Sequence, residues 1–245
     1  METRSEKELL GANINVWAKG LQESHPDLAE SLDEPRSVGY LGVERLGLPE
    51  APNVTVELEE FIQFPEKFAQ ILETKSIVIN LTPKVGRLQR HAGVNLSPEE
   101  ALNFVWEKVA VEDVAEYKVI VFAFGDITFS GNVIIDPEGA IIMESRAGQL
   151  GPLASGKVVP EYSMSRDKHL GTFKYSFEDA GVRQKMYETL MVIPHEGEGR
   201  DVEFTPGYYE FIWQDLGRPQ GQELFFVDYR DNPAYWEVND QDNKN

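Results

Sequence analysis

The stretch FSGNVIIDPEGAIIME, residues 129–144, places two apolar runs on either side of a turn. The first run ends at Ile135, and the second begins at Ala140. The four residues between them, DPEG at 136–139, favour a turn, since proline presets the backbone angle φ and glycine accepts a positive φ. The pattern therefore predicts a β-hairpin over residues 131–144.

Strands and helices are predicted on both sides of this hairpin. SPEE at 97–100 combines an N-cap hydroxyl, proline at the first helical position and glutamate at the third, which predicts a helix over residues 98–109. Residues 117–124 form an apolar run of strand length, and the aromatic runs 208–213 and 224–229 predict an antiparallel hairpin. Further segments predict a strand at 54–58 and helices at 65–74 and 178–193. Because these elements lack a regular βα alternation, the sequence predicts an α+β fold.

The order of elements also predicts a division into two lobes, with the boundary within residues 96–117. The predicted parts are a helical N-terminal segment at 1–38, an N-terminal lobe at 39–116, a C-terminal lobe at 117–238 and a disordered polar tail at 239–245.

Composition and charge exclude several classes of partner and site. The 245 residues include 23 Lys and Arg against 42 Asp and Glu, which gives a formal net charge of −19. This charge repels phosphate backbones and anionic membranes, so we expect neither nucleic acid nor membrane as a partner. The absence of cysteine excludes disulfides and thiolate metal sites. A charged N-terminus, and no apolar run near the roughly 18 residues of a membrane span, predict a cytoplasmic protein.

The motifs between Phe129 and Pro160 follow one another in a distinctive order. A Ser-Gly-Asn-Val strand at 130–133 precedes the Asp-Pro turn, and Glu144 precedes a glycine-containing loop at 148–151 and the element LASGKVVP at 153–160. This order resembles the ATP-binding domain of the phosphoenolpyruvate synthase and pyruvate phosphate dikinase family. Segments at 42–52 and 209–230 extend the resemblance.

The resemblance implies an ATP-grasp-like fold, in which two lobes hold ATP and Mg²⁺ between antiparallel or mixed sheets. By position, Glu210 is similar to the family's metal-binding glutamate, Asp228 replaces a glutamine near metal and phosphate, and Arg230 is similar to a phosphate-facing, catalytic arginine. Glu144 matches a strand glutamate, and Phe122 and Phe124 fall where the family's hinge strand touches adenine. A cationic patch for the triphosphate is expected at Lys84, Arg87 and Arg90, although a solvated loop explains these three residues equally well.

Strand geometry makes the metal site testable. Residues two apart on a strand share a face, so Tyr208 and Glu210 are predicted on one face, and Phe226, Asp228 and Arg230 on one face of the partner strand. With the right register, Glu210, Asp228 and Arg230 converge. The alternative is an ordinary solvent-side pair between Asp228 and Arg230, worth well under about 1 kcal/mol.

Two departures from the family pattern keep several functions open. The family's lysine in an early glycine-rich loop has no counterpart in residues 34–39, where only Arg36 supplies a cation, and the loop at 148–151 lacks the family's glutamate. The leading hypothesis is an ATP- and Mg²⁺-binding phosphotransferase component whose phosphate acceptor is a separate small molecule or protein. The alternatives are a non-catalytic ATP-grasp-like domain that serves as a binding or assembly module, and an acidic protein-interaction protein.

Overall fold

The computed structural model describes residues 42–86, 88–150, 159–166, 171–198 and 202–230. The predicted helical segment at 1–38 and the predicted tail at 239–245 lie outside these residues. The chain forms two compact units. The first, called the 50–126 unit, also contains residues 214–223, and the second, called the 127–213 unit, also contains the described residues 42–49 and 224–230.

The 50–126 unit is built on one antiparallel sheet. Its elements are β1 (Asn53–Glu57), α1 (Leu58–Gln63), α2 (Pro65–Ile71), β2 (Ser76–Pro83), β3 (His91–Leu96), α3 (Pro98–Lys108), a 3₁₀ helix (Val111–Glu116) and β4 (Tyr117–Phe124). The four strands lie in the order β1-β4-β2-β3. Buried and more exposed residues alternate along β2 and β4, as the period of a strand requires. Ile79 and Val121 are cross-strand neighbours on the buried face.

Helix α3 begins at the predicted capping box. The Ser97 hydroxyl accepts a hydrogen bond from the Glu100 N–H at 3.3 Å, and the Glu100 carboxylate accepts one from the Ser97 N–H at 2.8 Å. These reciprocal bonds satisfy amides that have no partner within the helix. Ala101 and Val105 are one turn apart and fully buried, so one face of α3 packs inward. The predicted helix at 98–109 is confirmed.

The 127–213 unit contains a second, larger sheet. Its strands are β5 (Asp126–Ile135), β6 (Ile141–Ala147), β7 (Tyr162–Arg166), β8 (Phe173–Tyr175), β11 (Gly207–Asp215) and β12 (Gln222–Arg230), with helix α4 (Ala180–Val192) and a two-stranded ladder of β9 (His195–Glu196) and β10 (Glu203–Phe204). The six strands lie in the order β12-β11-β5-β6-β7-β8. On α4, Met186 and Leu190 join a core cluster that includes Val133, Met143 and Phe211 of the sheet.

The hairpin that decides this unit has the predicted turn. The Asp136 N–H donates to the Ala140 carbonyl at 3.0 Å, and the Asp136 carboxylate accepts from the Ala140 N–H at 2.7 Å. Gly139 has a φ of 85°, a left-handed value that favours glycine. The hairpin is confirmed, and its strands extend beyond the predicted range at both ends.

The predicted lobe boundary between residues 116 and 117 differs from the observed division. β4 is hydrogen-bonded to both β1 and β2, so Tyr117–Phe124 belongs to the 50–126 unit. The physical reason is that strand pairing depends on partners distant in sequence, which a local pattern does not identify. The described elements confirm a mixed α+β fold with antiparallel sheets. No helix in the described part of the chain is both long and apolar enough to cross a membrane.

Candidate functional site

The two faces of the six-stranded sheet differ in chemistry. One face carries the apolar core, with Val133 and Met143 from β5 and β6. The other carries a row of buried polar residues: Asn132 lies opposite Glu144, and Glu144 lies opposite Ser163 on β7. These three are at most 2 % exposed. Residues directly opposite on neighbouring strands share a face, so the row continues across three strands.

Gly131 allows β5 to pack closely between its neighbours. A Cβ atom at this position would lie 2.3 Å from the Glu144 carbonyl oxygen and 2.6 Å from the Phe211 ring. Only glycine fits such an approach. Gly131 thereby sets the position of Asn132 beside it.

Strand β11 adds Tyr208 and Glu210 to the polar row. The Tyr208 hydroxyl lies 2.8 Å from Glu210 Oε1 and 3.2 Å from Asn132 Oδ1. Since a hydroxyl carries one proton, it donates to one of these oxygens at a time, and the shorter distance and the charge favour Glu210. Glu210 is 4 % exposed, so the carboxylate lies in the protein interior.

Strand β12 departs from the predicted alternation of faces. Phe226 and Tyr229 are three residues apart, yet their rings both contact Tyr209 in the apolar core, at centroid distances of 6.1 and 4.7 Å. Strict alternation would place them on opposite faces, so the strand is irregular between them. The prediction that Phe226 shares a face with Asp228 and Arg230 is therefore wrong.

Asp228 and Arg230 form a buried ion pair. Arg230 Nε and Nη2 both donate to Asp228 Oδ2, at 3.2 and 2.9 Å. The Arg230 side chain is 8 % exposed and the Asp228 side chain 2 % exposed. The pair therefore lies in the interior and is not the solvent-side pair that was the alternative. The remaining oxygen, Asp228 Oδ1, is buried and has no hydrogen-bond partner among the described residues.

Electrostatic coupling links this pair to the residues of β11. Burial raises the pKa of Tyr208 well above its usual value, and the negative charges of Glu210 and Asp228 act in the same direction. Burial alone would lower the pKa of Arg230, but the hydrogen bond to Asp228 and the charges of Asp228 and Glu210 outweigh it and raise that pKa. The structure therefore brings Glu210, Asp228 and Arg230 together. We call these three residues and Tyr208 the carboxylate–arginine cluster.

The cluster suits a metal ion that arrives with phosphate. Mg²⁺ binds oxygen ligands, usually one or two carboxylates together with phosphate oxygens and water. Asp228 Oδ1 is such a ligand atom, since it is buried and no residue that the structure describes donates to it, and Glu210 supplies a second carboxylate in the same cluster. Among the described residues, no group of three or more His, Cys, Asp and Glu side chains could hold a metal on its own. The donor set thus fits Mg²⁺ only when other ligands complete the coordination.

The predicted cationic patch belongs to the 50–126 unit. Lys84 Nζ lies 2.6 Å from Glu57 Oε2 and donates to the Ala115 carbonyl at 2.6 Å. The hydrogen bond from Lys84 lowers the pKa of Glu57, which is exposed. Arg90 is exposed, and Arg87 lies outside the described residues. Lys84 is therefore already engaged by a neighbouring carboxylate.

Phe122 and Phe124 lie in the same unit, on β4. Both are half-buried, whereas Ala123 between them and Val121 before them are buried in the core. Phe124 lines an open cavity of about 900 Å³ whose other lining residues are mainly polar and acidic: Glu66, Glu73, Glu99, Asp126 and Asp215, with one lysine, Lys75. Among the described residues of this lining, only Lys75 could pair with an anionic triphosphate, so the role of Phe122 and Phe124 beside adenine stays a prediction.

Part of the polar face was expected from the sequence. Glu144, Glu210, Asp228 and Arg230 were candidates from the resemblance, and the structure places all four on the buried polar side of one unit. The resemblance gave no role to Asn132 or Ser163 and did not predict the hydrogen bond from Tyr208 to Glu210. Polar residues within strongly apolar strands were the available signal, as Asn132 within the run GNVII illustrates.

Comparison with known proteins finds similarity only at the level of structure. No family model matches the sequence. No curated protein matches it either.

Among solved structures, the chain is similar to the D-alanine-D-alanine ligase from Coxiella burnetii, at 8 % identity and a TM-score of 0.36, over 83 % of this chain and 51 % of that one. It is similar to a RiPP-associated ATP-grasp ligase of Chryseobacterium gregarium, determined with ADP and a leader and core peptide, at 8 % identity and a TM-score of 0.35, over 83 % and 53 %. A third is ACD1 of Ca. Korarchaeum cryptofilum in complex with coenzyme A, at 13 % identity and a TM-score of 0.35, over 78 % and 89 %. The chain spans about half the length of the first two.

Proposed function

We propose that this chain is an ATP-grasp-like protein that binds ATP with Mg²⁺ on the polar face of the six-stranded sheet. The observation that carries the proposal is the carboxylate–arginine cluster, in which two buried carboxylates and one buried guanidinium interact. Carboxylates are the protein ligands that Mg²⁺–phosphate complexes commonly use, and guanidinium groups pair well with phosphate oxygens.

Each residue has a proposed task. Glu210 and Asp228 would hold Mg²⁺, and Tyr208 keeps the Glu210 carboxylate in place through its hydrogen bond. Arg230 would contact phosphate oxygens. When bound, Mg²⁺ would offset the charge of the phosphates during transfer of a phosphoryl group. The acceptor of that group would be a small molecule or a protein supplied from outside the chain. The candidate nucleotide contacts stay Lys84, Arg87, Arg90, Phe122, Phe124 and Glu144.

A second candidate function is favoured by two contacts. Arg230 donates two hydrogen bonds to Asp228, and Lys84 is paired with Glu57, so two cations expected to meet phosphate are engaged within the chain. These contacts favour a non-catalytic domain that acts as a binding or assembly module. The two functions differ in whether the wild-type chain binds Mg-ATP.

Isothermal titration calorimetry of the full chain with Mg-ATP tests the first proposal. The variants are Glu210→Gln and, as a matched control, Glu203→Gln, which removes an exposed carboxylate from β10. We expect saturable binding by wild type and by Glu203→Gln. We expect Glu210→Gln to bind roughly 10- to 100-fold more weakly, the range for losing one interaction with a charged group. No heat from the wild type, or equal affinity for Glu210→Gln, would contradict nucleotide binding at this face and favour the module.

A further inference from the structure

Helices α1, α2 and α3 and the 3₁₀ helix form a layer on the four-stranded sheet, which we call the helical layer. α1 packs against β1 and β4, and α3 packs against β2 and β3. α2 in turn packs against α3, and α1 packs against the 3₁₀ helix. The large side chains that this layer buries lie on α1, α2 and α3: Leu58, Phe61, Phe68 and Val105.

The outer side of the helical layer also carries large apolar side chains. Four of them, from 45 % to 76 % exposed, are Phe64, Ile71, Trp106 and Val111. They are half of the large apolar side chains that are exposed in the described part of the chain. Phe64 directly precedes α2 and Ile71 ends it, about two helical turns further on. Exposed apolar groups on neighbouring elements of one surface mark a site for a partner.

The charges of the helical layer are strongly one-sided. Its four helices contain nine Asp and Glu residues but only two basic residues, Lys67 and Lys108. Lys67 pairs with Glu60 at 3.1 Å, and Lys108 pairs with Glu107 at 2.6 Å, so both lysines are engaged within the layer. Four exposed carboxylates of the layer form no ion pair with any described residue: Glu59, Glu66, Glu99 and Glu112.

An acidic surface that exposes apolar side chains fits a partner of opposite charge. Packed helices receive the apolar stripe of a further helix in the grooves between them, and Lys and Arg beside that stripe would face the free carboxylates. A second copy of this chain would bring two acidic layers together, which like charges oppose. Residues 1–41 carry eight acidic against four basic residues, so charge does not favour them either.

We propose that the helical layer binds a basic amphipathic helix of a partner protein. Trp106 and Phe64 contact the apolar stripe of that helix, and the exposed carboxylates face its Lys and Arg side chains. The charge of the layer speeds the encounter, whereas the aromatic side chains hold the complex together. The helical layer shares no element with the six-stranded sheet, so this inference does not depend on nucleotide binding.

The test measures binding of the full chain to two labelled synthetic peptides by fluorescence anisotropy, without nucleotide. Both peptides contain only leucine and lysine, in the same numbers. In the first peptide the leucines recur at every third or fourth position, and in the second peptide their order is scrambled. At about 0.1 M salt, we expect wild type to bind the first peptide at least about tenfold more tightly than the second.

A matched pair of variants tests the apolar contact. Trp106→Ser removes an exposed apolar side chain from the helical layer, and the control Val94→Ser removes one from β3, outside that layer. We expect Trp106→Ser to weaken binding of the first peptide at least about tenfold, as for a large aromatic residue at the centre of an interface. We expect Val94→Ser to change the affinity by less than about twofold.

A second pair of variants tests the charge. Glu112→Lys reverses an exposed charge of the helical layer, and the control Glu178→Lys reverses an exposed charge in the 127–213 unit. At low salt, we expect Glu112→Lys to weaken binding several-fold more than Glu178→Lys does. The difference should vanish at about 1 M salt, where the Debye length is about 3 Å.

Hydrogen exchange measured by mass spectrometry locates the bound peptide. We expect the first peptide to slow exchange in residues 64–71 and 102–111 of the wild type. If circular dichroism finds Trp106→Ser unfolded, Ile71→Ser takes its place with the same expectation. Because Glu210 lies outside the layer, Glu210→Gln should bind the first peptide as wild type does, whatever the result with Mg-ATP.

Four outcomes would overturn the inference. They are equal affinity of wild type for the two peptides, unchanged affinity of the folded Trp106→Ser variant, an equal effect of Glu112→Lys and Glu178→Lys at low salt, and slowed exchange confined to segments outside the helical layer. Self-association of the wild type that Trp106→Ser abolishes would identify a second copy as the occupant and would also overturn it.

Discussion

Replacing Arg230 with methionine should destabilise the fold far more than breaking a surface ion pair. Methionine keeps much of the side-chain length but removes the two N–H groups that donate to Asp228 Oδ2 at 3.2 and 2.9 Å. Because Asp228 Oδ1 already has no partner, the variant leaves a buried carboxylate with no described hydrogen bond. Removing one partner of a buried pair typically costs about 3–5 kcal/mol. That is a large share of the free energy of unfolding of a typical domain, which is about 5–15 kcal/mol.

A double-mutant cycle separates the pair from the loss of the arginine stem. The free energy of unfolding is measured in urea, by circular dichroism and tryptophan fluorescence, for wild type, Arg230→Met, Asp228→Asn and the double variant. We expect the double variant to be more stable than Arg230→Met, because the neutral amide leaves no unpaired buried charge. A coupling energy of about 1 kcal/mol or more is expected between the two positions.

A small loss of stability would contradict a buried ion pair at Asp228 and Arg230. Exposed ion pairs contribute about 0.2–1 kcal/mol, so a loss below about 1 kcal/mol for Arg230→Met would mean that water reaches the pair in solution. A double variant no more stable than Arg230→Met would show that the cost comes from packing of the stem and not from the stranded carboxylate.

Two further perturbations test the geometry of the polar face. Tyr208→Phe removes the hydroxyl that donates to Glu210 at 2.8 Å and should cost about 1.5–3 kcal/mol near neutral pH. Because burial raises the pKa of Tyr208, the hydroxyl's contribution to stability is present below the unfolded pKa of about 10 and is lost as the pH rises above that value towards the folded pKa. The difference in unfolding free energy between wild type and Tyr208→Phe should therefore shrink in alkaline urea titrations. A difference that is constant with pH would contradict this. Gly131→Ala would place a Cβ atom 2.3 Å from the Glu144 carbonyl oxygen and 2.6 Å from the Phe211 ring, and should cost about 1–3 kcal/mol or more, whereas Gly86→Ala, with no atom within 4 Å of the new Cβ, should stay within about 0.5 kcal/mol in the same assay. Equal stability of the two alanine variants would mean that β5 relaxes to accept a side chain.

Local elements were predictable because their signals are local. The capping box at Ser97 and Glu100 fixed the start of α3, and the bounds of β4, Tyr117–Phe124, match the predicted apolar run. The DPEG turn at 136–139 likewise placed the β5–β6 hairpin. In each case the residues that specify the element lie within it, so neighbouring sequence suffices.

Long-range pairing was not predictable from the same signals. β4 was predicted in the C-terminal lobe, but it pairs with β1 and β2 and therefore belongs to the 50–126 unit. The irregularity between Phe226 and Tyr229 also has no turn residue to mark it, and it moved Phe226 to the apolar face. Strict alternation therefore predicted the shared side of Asp228 and Arg230 but not the change of side that follows Phe226.

The row of buried polar residues indicates that the six-stranded sheet has a function beyond its own stability. A sheet buried on both faces is ordinarily apolar on both, because an unpartnered polar group in the interior costs about 1–3 kcal/mol. Here Asn132, Glu144, Glu210 and Asp228 occupy the interior of one face, and Asn132 Nδ2 and Asp228 Oδ1 have no hydrogen-bond partner within the described part of the chain. Such departures from the rules of packing concentrate at functional sites. The described contacts satisfy only part of this face, and a ligand with both a cation and hydrogen-bonding oxygens, as in Mg-ATP, has the chemistry to complete it.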